Sequence, residues 1–270
     1  MTTTLLVLVL VAALAAVAVS VLLLREVNHL KAKVEESSGG SQGVEKLIRD
    51  AVGSIQQQTL RQHRETRAVA DALFSLGGLG PDGATTPSTQ GWSASPMVLR
   101  QLAEQVTERR PELVVEIGGG GSSVLLGRLL RAQGHGRVVS FEHDPAFAEI
   151  TRGHLRRHGV EDLVEIRVAP LVPVELGGET YEWYDPEAFA DLADVGLVFV
   201  DGPPGRTGPH ARYPAVPVLA PHCLPGAGVL LDDGARQQER EVADRWIAEH
   251  GATEIWSDDV GTGWVQLTLP

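Results

Sequence analysis

The chain is poor in the groups from which several kinds of protein are built. It has one cysteine in 270 residues, Cys223, so it can form neither an internal disulfide nor a thiolate-rich metal site, and nothing requires an oxidising compartment. Cations are also scarce. Lys and Arg number 23 against 35 Asp and Glu, a formal charge of -12 that opposes binding to nucleic-acid phosphates. No internal repeat is present, which excludes a solenoid or an array. Neither lysine nor arginine precedes the apolar run at residues 5–24, so the basic start of a cleaved secretory signal is missing.

That run is almost entirely Leu, Val and Ala, interrupted by Ser20, and is long enough to cross a bilayer as a helix. We expect residues 1–25 to be an uncleaved single-pass membrane anchor. Arg25, Lys31 and Lys33 follow it, which places the rest of the chain on the cytoplasmic side. Residues 26–76 read as a linker and helical stalk, with Val44, Leu47, Ile48, Ala51, Val52 and Ile55 at helical spacing. The heptad is imperfect, which leaves homo-oligomerisation through the stalk and a solvated spacer both open. A Gly/Pro-rich linker over 77–91 marks the boundary of a domain expected at 92–270.

Within that domain short apolar runs alternate with helical windows, the pattern of parallel strands covered by helices on both faces. Strands are expected at 113–117, 137–141, 164–168, 195–200 and 228–231, with helices after each turn. The runs 253–257 and 263–269 are joined too closely for a crossover helix and should pair antiparallel. Trp183 and Tyr184 fall just before a helical stretch and can cover a pocket. Trp92, Trp246, Trp256 and Trp264 are assigned to packing.

The first strand runs into Glu116-Ile-Gly-Gly-Gly-Gly121, followed by a helical segment. Glycine there permits positive φ and close approach of a ligand, and a helix N-terminus offers unpaired N–H groups to an anion. The second strand ends at Glu142, where a carboxylate can accept two ribose hydroxyls. Asp144 precedes Pro145 and reads as a helix N-cap. A dinucleotide fingerprint is incomplete, because Ser123 stands where its third glycine belongs.

This set of motifs resembles class I S-adenosylmethionine-dependent methyltransferases. The resemblance implies an α/β, Rossmann-like seven-stranded sheet, parallel except for an antiparallel C-terminal strand. It also implies S-adenosylmethionine as cofactor, held by Glu116, Gly118, Gly120, Glu142 and the segment around Ala169, with Gly119 and Gly121 serving turn geometry. Asp201 ends the fourth expected strand, and Asp232 and Asp233 end the fifth. Two readings of these acids stand side by side. In one they bind Mg²⁺, as in enzymes similar to the macrocin and catechol O-methyltransferases. In the other Arg206, Arg212 and Arg236 neutralise them, and Asp201 holds its turn. Asp201 and His210 are the catalytic candidates, His210 as base or as an exposed loop histidine, while Arg212 and Tyr213 suit an anionic or sugar-like acceptor. The expected activity is O-methylation of a small-molecule, sugar or lipid-linked acceptor. The alternatives are a catalytically silent cofactor-fold module tethered to the membrane and an NAD(P)-dependent oxidoreductase.

Overall fold

A computed structural model describes residues 94–258 and 262–270, together with Gly53. The expected anchor, stalk and 77–91 linker therefore lie outside the described residues, as does Trp92. Among the described residues no helix is long and apolar enough to cross a membrane.

The chain begins with α1 (Pro96–Arg109), opened by Ser95, whose hydroxyl accepts the Val98 N–H, and by a proline in the first turn. Strand β1 (Leu113–Ile117) leads into α2 (Gly121–Gln133), and β2 (Arg137–Glu142) into α3 (Pro145–His158). Asp144 caps α3 by accepting the Ala146 N–H at 2.8 Å. Three more strands follow without an intervening α-helix: β3 (Val164–Val168), β4 (Leu171–Leu176) and β5 (Glu179–Tyr184). After a 3-10 turn at Pro186–Phe189 come β6 (Val195–Val200), the short α4 (Ala215–Leu219) and β7 (Cys223–Asp232). The chain ends with α5 (Gln237–His250), β8 (Thr253–Asp258) and β9 (Trp264–Thr268).

Seven strands form one sheet in the order β3-β2-β1-β6-β7-β9-β8. β3, β2, β1, β6 and β7 run parallel, and β9 lies antiparallel between β7 and β8. The expected parallel sheet with an antiparallel C-terminal strand is present. Alternation along β1 divides the core. Leu113, Val115 and Ile117 enter one apolar cluster, and Val114 enters the other with Val98, Leu102 and Val106 of α1 and Leu126 and Leu130 of α2.

Two expectations fail. A helix was expected after β3, but β4 and β5 form an antiparallel hairpin turned by Gly177 and Gly178, both at positive φ. The hairpin covers its sheet face with aromatics: Trp183 is fully buried and stacks on Phe189 at 5.3 Å, and Phe189 stacks on Phe141 at 4.0 Å. Trp183 and Tyr184 are thus buried residues of β5, just before the 3-10 turn at Pro186–Phe189. Trp256, assigned to packing, is 63% exposed on edge strand β8, whereas Trp246 and Trp264 are buried as expected. An edge strand has one flank without a neighbour, so burial inferred from residue type alone fails there.

Packing between α2 and the segment before β3 is close enough to reverse a common rule. Alanine improves on glycine in a helix interior by about 1 kcal/mol. At Gly127, however, a Cβ would sit 2.9 Å from Val160 Cβ and from Val164 Cγ2. Such overpacking costs about 1–3 kcal/mol, so Gly127→Ala is expected to lower the melting temperature. A midpoint equal to or above that of the parent in thermal denaturation would refute the packing argument.

Candidate active site

Backbone hydrogen bonds bring the ends of four parallel strands to one edge. Gly118 N–H donates to Phe141 O, Asp201 N–H to Ile117 O, and Ala169 N–H to Glu142 O, each at 2.9 Å. Gly118, Glu142, Ala169 and Asp201 therefore share the carboxyl edge of the sheet, where open α/β folds bind ligands.

The glycine turn is held from beneath. Glu116 points to the α2 side of the sheet and is fully buried, and its Oε2 accepts the Ser123 hydroxyl at 2.5 Å while Ser123 Oγ accepts the Gly120 N–H at 3.0 Å. Burial raises the Glu116 pKa, against the opposing effect of hydroxyls from Ser122, Ser123 and Ser140. The structure thus places Glu116 inside the turn as its brace. Gly118 has φ +91, and a Cβ there would stand 3.1 Å from the Asp201 carbonyl carbon and the Gly202 nitrogen. Space above Gly120 is open, with nothing within 4 Å of a Cβ. Gly120, at the N-cap of α2, has no side chain to accept the N–H groups of the first turn, and only its own N–H is taken, by Ser123. Glu142 is nearly buried and is oriented by the Asp144 N–H, which donates to Oε1 at 2.9 Å.

On the other side of Gly118 lies a charged cluster. One oxygen from each of Asp201, Asp232 and Asp233 lies within 4.8 Å of the others. Arg212 enters it. Its Nη2 donates to Asp201 Oδ1 at 3.1 Å and to Asp233 Oδ2 at 2.9 Å, and its Nη1 donates to the Asp232 carbonyl at 2.9 Å. Arg236 adds a second cation, 2.8 Å from Asp233 Oδ2. Asp232 Oδ1 accepts the Asp233 N–H at 2.7 Å. Burial works against the charge on Arg212, but Asp201, Asp233 and Asp232 outweigh it and hold the guanidinium protonated. Asp201 is pushed well above the usual carboxylate range by burial, with Arg212 opposing and the other two aspartates adding to the rise. The three acids are close enough to share a cation, and in this structure a guanidinium nitrogen takes the position between Asp201 and Asp233. Of the two readings of these acids, neutralisation by arginine is the one the geometry favours.

Tyr184, expected to cover a pocket, lies at the end of β5 against the Asp201-Gly202 turn. It is 1% exposed, and its hydroxyl lies 2.8 Å from where a Gly202 Cβ would stand. Burial raises its pKa, with Glu142 and Asp201 adding to the effect. His210 is placed elsewhere: its Nε2 is 2.6 Å from Glu241 Oε2, and its N–H donates to Gln238 Oε1, both on α5. Its partners are thus helix residues, not the strand-end acids. His143 packs edge-on to Tyr184 with ring centroids 6.2 Å apart.

Residues 115–234 match a protein family described as "Methyltransferase domain". The segment holding the site is similar to that family over less than half of the chain. Its limits enclose the turn, Glu142, the hairpin, Arg212 and all three aspartates. The chain is 43% identical over 82 residues to a catechol O-methyltransferase of Mycobacterium tuberculosis, covering 28% of this chain and 35% of the relative. It is 30% identical over 134 residues to an arginine N(omega)-methyltransferase of Streptomyces achromogenes subsp. streptozoticus, covering 48% and 32%. It thus spans about a third of the length of these curated relatives. In fold it is similar to an O-methyltransferase from Bacillus cereus solved with S-adenosylhomocysteine, with TM-score 0.50 and 18% identity over 79% of this chain and 91% of that one.

The acid cluster of this domain makes stability depend on pH. Burial, followed by repulsion from Asp233, raises Asp232 from 3.8 to about 6. A carboxyl raised on folding stabilises the fold in its protonated form, so the contribution is complete below about pH 4 and lost as pH rises through about 6. Asp232→Asn keeps an oxygen for the Asp233 N–H and cannot ionise. Its melting temperature is expected to exceed the parent's near neutral pH, and the advantage should vanish toward about pH 4 in thermal melts across that range. A difference independent of pH would refute the assignment.

Proposed function

We propose that the chain is an S-adenosylmethionine-dependent methyltransferase, tethered by residues 5–24 with its domain on the cytoplasmic side, acting on a small-molecule, sugar or lipid-linked acceptor. The observation that carries this reading is the alignment of Gly118, Glu142 and Asp201 along one edge beside the glycine N-cap of α2. The open space above Gly120 and the close approach at Gly118 fit an extended ligand lying across the turn. A silent module has no need of a buried acid bracing an unused turn, and the missing third glycine weighs against a nicotinamide cofactor.

When bound, S-adenosylmethionine supplies an electrophilic methyl group on a sulfonium. In this reading the first N–H groups of α2 hold its carboxylate, Glu142 accepts the ribose hydroxyls, and the backbone at Ala169 borders the adenine. Tyr184 narrows the cleft and excludes water. Asp201, on the same strand edge as Gly118, is the base that takes the proton of the acceptor hydroxyl. Oxygen is the target favoured by that base, and the catechol-acting relative supports it. The arginine-acting relative makes nitrogen the competing outcome.

Calorimetry of the purified full chain tests the donor. S-adenosylhomocysteine is expected to bind and NAD is not. Glu142→Ala should weaken S-adenosylhomocysteine by about 10- to 100-fold, corresponding to the loss of charged hydrogen bonds of about 1.5–3 kcal/mol. Failure of the parent chain to bind S-adenosylhomocysteine would end this reading.

A further inference from the structure

We propose that Arg212 is the resident cation of this site, and that methyl transfer by this chain uses no divalent metal ion. The inference rests on the methyltransferase reading of the same cleft and concerns how its strand-end acids are neutralised. In the metal-binding reading of these acids, a divalent ion would sit among the groups that end these two strands. Here a planar guanidinium does so. It touches Asp201 and Asp233 through one nitrogen, Nη2, at 3.1 and 2.9 Å. It is also bonded to the backbone of both strands, through Asp232 O at 2.9 Å and Asp201 O at 3.2 Å. The carbonyl bonds matter most, because they show a donor fork built to span the ends of β6 and β7.

Its position is secured by its own segment. Ala211 and Tyr213, on either side of it, are buried, and the Arg212 side chain is only 5% exposed. The Tyr213 N–H donates to His210 O at 2.8 Å, and the Tyr213 carbonyl accepts the Trp246 Nε1–H at 2.8 Å. The Tyr213 hydroxyl is 2.5 Å from Glu249 Oε2, and His210 is held by Glu241. The segment is therefore tied to α5 at three points. A divalent ion entering between Asp201 and Asp233 would have to expel a cation with four hydrogen bonds and leave it buried or drag the segment off the helix. Removing one member of a buried pair is the costly direction.

His210 gains a role in this account. Paired with Glu241, it is a positioning residue for the Arg212 segment.

The test is electron paramagnetic resonance of Mn²⁺ titrated into the full chain, with S-adenosylhomocysteine calorimetry on the same preparation. The parent chain is expected to leave the free-Mn²⁺ signal unchanged, and its S-adenosylhomocysteine affinity should be the same with or without EDTA. Arg212→Ala should acquire one Mn²⁺ per chain, and Arg212→Ala combined with Asp233→Asn should lose it. One-to-one Mn²⁺ binding by the parent chain, abolished by Asp233→Asn, overturns the proposal. So does an Arg212→Ala chain that keeps its circular dichroism and binds no more Mn²⁺ than the parent. If Arg212→Ala fails to fold, the parent titration still decides. Loss of S-adenosylhomocysteine binding alone would instead count against the methyltransferase reading.

Discussion

The arrangement of the active edge depends on one buried interaction, the guanidinium of Arg212 held among three aspartates and two backbone carbonyls. Parallel strands β6 and β7 bring Asp201 and the Asp232-Asp233 pair together by their register, and three like charges so close would repel without a cation. Once Arg212 is fixed, the rest follows in order. Asp201 keeps its orientation beside Gly118, the glycine turn keeps its clearance, and α5 is tied to the sheet through the flanking His210 and Tyr213.

A second buried acid works differently. Glu116 has no cation and is stabilised by serine hydroxyls, which suit a group whose proton affinity is already raised by burial. The two halves of the edge thus solve the same desolvation problem by different means. Hydroxyls stabilise the acid beneath the glycine turn, and a guanidinium neutralises the acids at the ends of β6 and β7.

Most of the sheet was legible because fully buried parallel strands read as uninterrupted apolar runs, and the glycine turn because its strand-to-helix context is local. Glu142, Asp144 and the C-terminal antiparallel pair were legible for the same reason. The hairpin was not. Pro173 and the acids at 175, 179 and 182 disguise its alternation, although Gly177-Gly178 carried the turn signal. Nor could local pattern choose between a metal and an arginine at the acids, since Arg212 lies 11 residues from Asp201 and 21 from Asp233 in sequence. The arginine arrives on a segment folding back onto both strands, a long-range fact. The same limit applies to His210, whose partner is 31 residues away on α5.

The hairpin separates two duties along one strand pair. At its base Trp183 is locked into the aromatic stack and Tyr184 borders the cleft, while its tip at Gly177-Gly178 has open space around both glycines. Residues added or removed at the tip change the reach of the outer wall in register-preserving pairs and leave the sheet, the turn and the charge cluster undisturbed. The hairpin tip is in effect an interchangeable part, whose length can vary above an unaltered floor.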